Sequence, residues 1–229
     1  MPFSFEDLVA VMAHLRGVEG CPWDREQTHA SLAPYLLEEA HEALDAIARG
    51  EPDALRGELG DVLLQVVFHA QIAHEAGQFD AAAVVDTLVH KLLARHPHVF
   101  GDLRLGTARE VHAHWEELKR REAPDRTIDD GVPNSLPALA RAQKLLRRSG
   151  GGADDRTGAV AASAVRAACD AANAHLSDGQ GMRGADDREA LVGNLLLAVV
   201  GLAAAAGVDA EAALRRASAT LVEHLGAPR

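Results

Sequence analysis

Apolar residues recur at intervals of three and four through most of this chain. The clearest run is Leu59, Val62, Leu63, Val66, Val67 and Ala70, a series that lines one face of an α-helix. No segment alternates with a period of two, so no strands are expected. Local punctuation places the helices. Ser4-Phe-Glu-Asp7 is a capping box with Asp in its last place and starts a helix to about Arg16. Gly17 to Asp24 reads as an ordered loop. A second helix starts near Ser31, tolerates Pro34 in its first turn and stops at Gly50. A third runs from Pro52 or Asp53 to Gly77, and a fourth is capped by Asp80 and ends before Pro97. Thr107-x-x-Glu110 is a capping box for a fifth, to about Arg121. After a polar stretch, Ala123 to Asn134, Ser135-Leu-Pro137 opens a helix to Arg148, and Ser149-Gly-Gly-Gly152 breaks the chain. Three more helices are expected near 156–176, 186–206 and 209–225. The fold class is all-α.

Composition narrows the function classes. Hydrophobic residues make up 48% of the 229 residues and aromatics only 3%, which favours close helix packing over a β-sandwich. A net charge of −11 argues against a general nucleic-acid binder, which needs a basic face. It leaves room for a small anion held by a local basic cluster or a metal. Cys21 and Cys169 are the two cysteines, and Glu6 and Asp7 follow Phe3-Ser-Phe directly; a reducing, cytoplasmic setting is expected. Ala190 to Val208 is uncharged for 19 residues, about the length that spans a bilayer. It contains Asn194 and three glycines and lacks basic or aromatic flanks, so a buried bundle helix and no membrane partner are expected.

The chemistry concentrates between Leu36 and Asp61. Glu38, Glu39 and Glu42 share one expected helix, and Glu58 and Asp61 lie near the head of the next. Residues three or four apart lie on one helix face, and the turn Arg49-Gly-Glu-Pro52 folds the two helices against each other. Carboxylates brought that close cannot all stay ionised unless a cation sits among them. The simplest cation for an all-oxygen set is Mg²⁺. The opposing reading is two solvated acidic faces. Against it, Gly57 and Gly60 cost about 1 kcal/mol each in a helix relative to alanine, a loss that close approach of a helix or ligand would offset. Glu38-x-x-His41 also matches half of a di-iron bundle motif, but its partner here is Glu58-x-x-Asp61, all carboxylate.

A basic group lies downstream. Lys91 and Arg95 share a face of one expected helix, and Trp115 and Lys119 repeat that spacing on the next. Any one of them reads as ordinary surface. Together, in an acidic chain, they suggest a phosphate clamp with a ring for a base. The His96/His98 and His112/His114 pairs read as structural or surface groups.

The two halves of the chain compare with each other. Gly60-Asp-Val-Leu-Leu-Gln-Val-Val lines up with Gly193-Asn-Leu-Leu-Leu-Ala-Val-Val, each followed by a glycine and an Asp cap. The alignment sets Glu38, Glu39 and Glu42 against Ala167, Ala168 and Ala171, Glu58 against Leu191, and Asp61 against Asn194. The second copy keeps the apolar surface and lacks every candidate ligand.

Four motifs in order carry a family resemblance: Gly20-Cys-Pro-Trp-Asp-Arg-Glu-Gln-Thr28, Leu37-Glu-Glu-Ala-His-Glu-Ala-Leu-Asp-Ala-Ile47, Leu55-Arg-Gly-Glu-Leu-Gly-Asp-Val-Leu-Leu-Gln-Val-Val67 and Arg95-His-Pro-His-Val-Phe100. Over roughly residues 5 to 148 the chain resembles the MazG nucleoside triphosphate pyrophosphohydrolases. The resemblance implies two tandem helical-bundle repeats: a catalytic helical domain over 1–122, a linker with one helix over 123–152, and a degenerate repeat over 153–229. It implies a homodimer that hydrolyses nucleoside triphosphates to monophosphate and pyrophosphate with Mg²⁺, Mn²⁺ serving as substitute, and so clears aberrant or surplus nucleotides. Glu39, Glu42, Glu58 and Asp61 would hold the metal, with Glu38 beside them as ligand or water-orienting base. Lys91, Arg95 and Lys119 would contact the triphosphate, and Trp115 would lie near the nucleotide. The competing reading is a non-catalytic nucleotide-binding or dimerisation scaffold.

Overall fold

The structure is a computed structural model and describes residues 2–122, 127–149, 155–177 and 185–226. Among these residues the regular structure is helical, with no strand. Parts of the expected linker and glycine break, residues 123–126 and 150–152, lie outside them. The chain divides into two compact units, Met1–Leu118 and Lys119–Arg229.

The first unit is built on a helical hairpin. Helix α1 (Phe5–Arg16) and the short α2 (Pro22–Glu26) lead into α3 (His29–Arg49) and α4 (Pro52–Glu75), followed by α5 (Ala81–Arg95), α6 (Pro97–Phe100) and most of α7 (Ala108–Glu122), whose last residues belong to the second unit. Gly50 caps α3 in the left-handed conformation, at φ 69°, and Pro52 opens α4 at a position that has no need of its N–H. The turn is therefore short, and α3 packs along α4. Helix α4 also packs against α1 and α5. Met12, Leu32, Val67 and Phe68 form the core, with Phe5, Leu8, Val9, Leu64 and Ile72 packed on it.

The predicted boundaries hold within a few residues, and the departures have local causes. The capping box at Ser4 and Asp7 forms as expected. Helix α3 begins at His29 because Thr28, not a residue near Ser31, is its cap: Thr28 accepts from the Ser31 N–H, and the Ser31 hydroxyl accepts from the Thr28 N–H. The expected loop from Gly17 to Asp24 turns helical at Pro22. Pro97 both ends α5 and starts α6.

The loop before α3 is tightly fixed. Arg16 is buried and donates to both Glu75 carboxylate oxygens, at 2.9 and 2.7 Å. It also donates to the Asp24 and Gln27 carbonyls, and its guanidinium lies 5.4 Å from the Phe68 ring centre. Gly20 sits so close beneath the end of α1 that a Cβ there would stand 2.1 Å from the Leu15 carbonyl oxygen.

In the second unit, α8 (Ala138–Arg148), α9 (Asp155–Ser177), α10 (Ala185–Ala205) and α11 (Ala210–Gly226) follow one another. Helix α10 packs on α9 and α8, and α11 on α8 and α10. The buried Gln143 donates to the Val208 carbonyl at 2.6 Å and accepts from the Ala210 N–H at 2.9 Å, fixing the start of α11. Gly77 and Gly207 both have positive φ, 68° and 70°. Each precedes an aspartate, Asp80 or Asp209, whose side chain caps the next helix. The expected buried bundle helix is covered on one side only. Val192, Leu196, Leu197 and Val199 on α10 stay about half exposed, and by length and composition alone Asp187–Ala205 could cross a membrane.

Candidate metal and phosphate site

The α3–α4 hairpin brings three carboxylates together. One oxygen each from Glu39, Glu58 and Asp61 lie within 4.8 Å of one another. Glu39 and Glu58 are half-buried, and Asp61 is exposed. Their meeting follows from helix phase. On α3, Ala43 and Ala46 are buried; small side chains there let the two helices approach closely. Glu39 lies one turn before Ala43 on the same stripe. On α4, Glu58 and Asp61 are three apart and share the face opposite Glu39.

The electrostatics follow from this packing. Burial holds the Glu39 carboxyl above its usual value, and the charges of Asp61, Glu42, Glu38 and Glu58 push it further in the same direction. Glu38 and Glu42 are exposed and stand outside the close trio, yet near enough for their charge to act on Glu39. The donor set is oxygen only, which suits a hard divalent cation such as Mg²⁺. Neither Glu38 nor His41 is part of the trio, so the Glu-x-x-His element of a di-iron motif does not join it. Among the described residues, the two His-x-His pairs do not form a ligand group either.

Of the two partners expected to approach Gly57 and Gly60, a helix or a ligand, the helix is not there. Gly57 and Gly60 have no heavy atom within 4 Å of where a Cβ would stand. Helix packing within the chain therefore does not account for these two glycines.

The basic group is distributed over α5 and α7. Lys91 is exposed and Arg95 half-buried on α5. Trp115 on α7 sets its ring edge-on to His96, with centroids 5.7 Å apart, so it stands at the end of α5 next to Arg95 in sequence. Lys119 lies on α7, and its side chain is outside the described residues.

Sequence reasoning passed over two features of the same hairpin. Trp23, presented by the fixed α1–α2 loop, meets Tyr35 edge-on at 6.1 Å, and Tyr35 is one turn before Glu39 on α3. At the far end of the seam His29 and His69 stack at 5.1 Å, with their Nδ1 atoms 2.8 Å apart. Burial and the neighbouring His29 push the His69 imidazole below its usual value. Both are contacts between distant residues, with no local pattern to announce them.

A helical hairpin whose carboxylates converge at cation spacing makes this, by class, an all-α protein with an acidic oxygen-donor site. Residues 27–100, which span the hairpin and α5, match the MazG nucleotide pyrophosphohydrolase domain. The chain is 45% identical over 221 residues to the nucleoside triphosphate pyrophosphohydrolase of Escherichia coli (strain K12), covering 94% of this chain and 83% of that protein. It is 40% identical over 224 residues to the nucleoside triphosphate pyrophosphohydrolase/pyrophosphatase MazG of Thermotoga maritima, covering 96% and 83%. A shorter match, 46% over 145 residues, covers 62% of this chain and 44% of the nucleoside triphosphate pyrophosphohydrolase of Mycobacterium tuberculosis. The chain belongs to the MazG nucleotide pyrophosphohydrolase family.

Proposed function

We propose that this chain hydrolyses nucleoside triphosphates to the monophosphate and pyrophosphate, with Mg²⁺ as cofactor and Mn²⁺ as substitute. Its cellular duty on this reading is removal of aberrant or surplus nucleotides in the cytoplasm. The observation that carries the reading is the convergence of Glu39, Glu58 and Asp61 within a chain of this family. Water adds to a phosphorus and the anhydride between the α- and β-phosphoryl groups breaks, with pyrophosphate leaving.

Glu39, Glu58 and Asp61 would hold the cation, with Glu42 on the next turn of α3 as a further ligand. When bound there, Mg²⁺ would supply charge neutralisation for the phosphates and a lowered pKa for a water. Glu38 orients that water or completes the ligand set. Lys91, Arg95 and Lys119 stabilise charge on the phosphoryl and leaving oxygens. Trp115 offers its ring to the base.

A homodimer fits the surface. Leu44, Ile47, Leu59, Leu88 and Leu92 on the hairpin and α5 are each more than two-fifths exposed, apolar side chains that a second copy would cover. The acidic net charge fits the absence of a nucleic-acid partner. Residues 153–229 read as a degenerate repeat that serves packing or dimerisation, leaving one site per chain.

The test is incubation of the purified protein with each NTP and dNTP plus Mg²⁺, assaying pyrophosphate and the monophosphate. Release of both from at least one nucleotide is expected. Binding without turnover of any nucleotide would favour the scaffold reading instead.

A further inference from the structure

Two polar side chains are fully buried among the described residues, Gln65 at 5% and Gln143 at 4% exposure. They differ in one respect. Gln143 uses both ends of its amide, donating to Val208 and accepting from Ala210. Gln65 Oε1 has no hydrogen-bond partner. A buried amide oxygen left unpaired costs stability, and such groups are rare unless a ligand, ion or water completes them. An apolar residue of the same size would fill the site without that cost.

The position of Gln65 says what completes it. Helix α4 carries Glu58, Asp61, Gln65 and Phe68 at spacings of three, four and three, the stripe that faces a single neighbouring helix. Glu58 and Asp61 at the head of this stripe meet Glu39 of α3. His69, four residues beyond Gln65, meets His29 of α3. Gln65 therefore lies in the α3–α4 seam, between these two contacts and one turn from Asp61. Two polar groups stand one turn from Gln65 on α4: Asp61 of the carboxylate cluster, which offers acceptors only, and His69, whose Nε2 is likewise buried without a partner. An amide oxygen cannot pair with ionised carboxylates, so a donor reaching Gln65 from the cluster's side belongs to something the cluster binds.

We propose that Gln65 is a positioning residue of the carboxylate site, its amide oxygen accepting a hydrogen bond from a water in the hydration shell of the bound divalent cation. This deepens the function proposed above and rests on the same cluster holding a cation. Outer groups of this kind orient ligands and typically change metal affinity by about 10–100-fold when removed. The role also explains why a costly residue stands where packing alone would place leucine or methionine.

The test compares wild type with Gln65→Met and, as a second apolar replacement, Gln65→Leu. Three quantities are measured: the thermal midpoint without divalent cations, the affinity for MnCl₂ alone by calorimetry, and kcat and KM with Mg²⁺ and the preferred nucleotide. The expected result is an unchanged or raised midpoint, Mn²⁺ affinity lowered about 10-fold, and a fall in kcat with little change in KM. Unchanged Mn²⁺ affinity in a folded variant overturns the proposal, because the orphaned oxygen then serves only packing, a water shared with His69, or a group on the nucleotide. A lowered midpoint in both variants also overturns it, by showing that Gln65 is paired within the fold. If wild type hydrolyses no nucleotide, the functional reading falls while the Mn²⁺ comparison still decides the role of Gln65.

Discussion

Replacing Glu39 with glutamine should stabilise the cation-free protein while abolishing its activity. The effect is electrostatic. In the absence of a cation, Glu39 faces two like charges, Glu58 and Asp61, within 4.8 Å. Each such pair costs about 0.9 kcal/mol in water-like surroundings, appropriate because Asp61 is exposed. Salt at physiological strength roughly halves the sum, leaving about 1 kcal/mol of repulsion that Glu39→Gln removes. For a unit of this size that is about 4 °C in midpoint. The pH dependence has a definite sign. The Glu39 carboxyl is raised above its usual 4.5 by burial and its acidic neighbours, so the folded state favours its protonated form. The penalty is absent at low pH and develops as pH rises through the folded value, so the gap between variant and wild type opens above about pH 4.5. Saturating Mg²⁺ should raise the wild-type midpoint and close the gap or reverse it. Differential scanning calorimetry with and without MgCl₂ at several pH values reads all of this. A lowered midpoint for the cation-free variant, or Mg²⁺ stabilisation that survives intact in it, would refute the reasoning.

Other expectations concern the scaffold and the second unit. Arg16→Met removes a buried cation bonded to Glu75 and two carbonyls, and should cost about 3 kcal/mol in chemical denaturation. The Arg16 hydrogen bond holds Glu75 below its usual 4.5, so that part of wild-type stability is present above the unfolded value and lost as pH falls through the folded one; an acid titration of the Arg16→Met variant should lack this loss. Gly20→Ala forces a Cβ into the Leu15 carbonyl and should destabilise by about 3 kcal/mol or more, read by the same denaturation. Asn194→Ala, in the position corresponding to Asp61, should leave turnover within about twofold of wild type; a large loss in the pyrophosphate assay would show that the second unit takes part in the chemistry.

What the sequence made legible was local. The Ser4 and Thr107 capping boxes, the Asp80 and Asp209 caps and the Gly50-Glu-Pro52 turn are short-range signals, and the helices they delimit form accordingly. The hairpin put Glu39, Glu58 and Asp61 together because helix phase is readable from spacing alone. Finer placement depended on tertiary contact. Glu42 is three residues from Glu39, but Ala43 rather than Glu42 occupies the buried position, which leaves Glu42 at the rim. The short α2 and α6 are too brief for periodicity to reveal. The pairings Arg16 with Glu75, Trp23 with Tyr35 and His29 with His69 join residues 12 to 59 positions apart, and the unpaired state of Gln65 is visible only once its surroundings are known.

The central claim is that one acidic cluster per chain, on the α3–α4 hairpin, holds the cation for nucleotide hydrolysis. Anomalous diffraction from crystals grown with MnCl₂ tests it most directly. The account predicts a manganese peak bonded to oxygens of Glu39, Glu58 and Asp61 in every chain. Ordered manganese elsewhere, with that trio left empty at saturating MnCl₂, would contradict it.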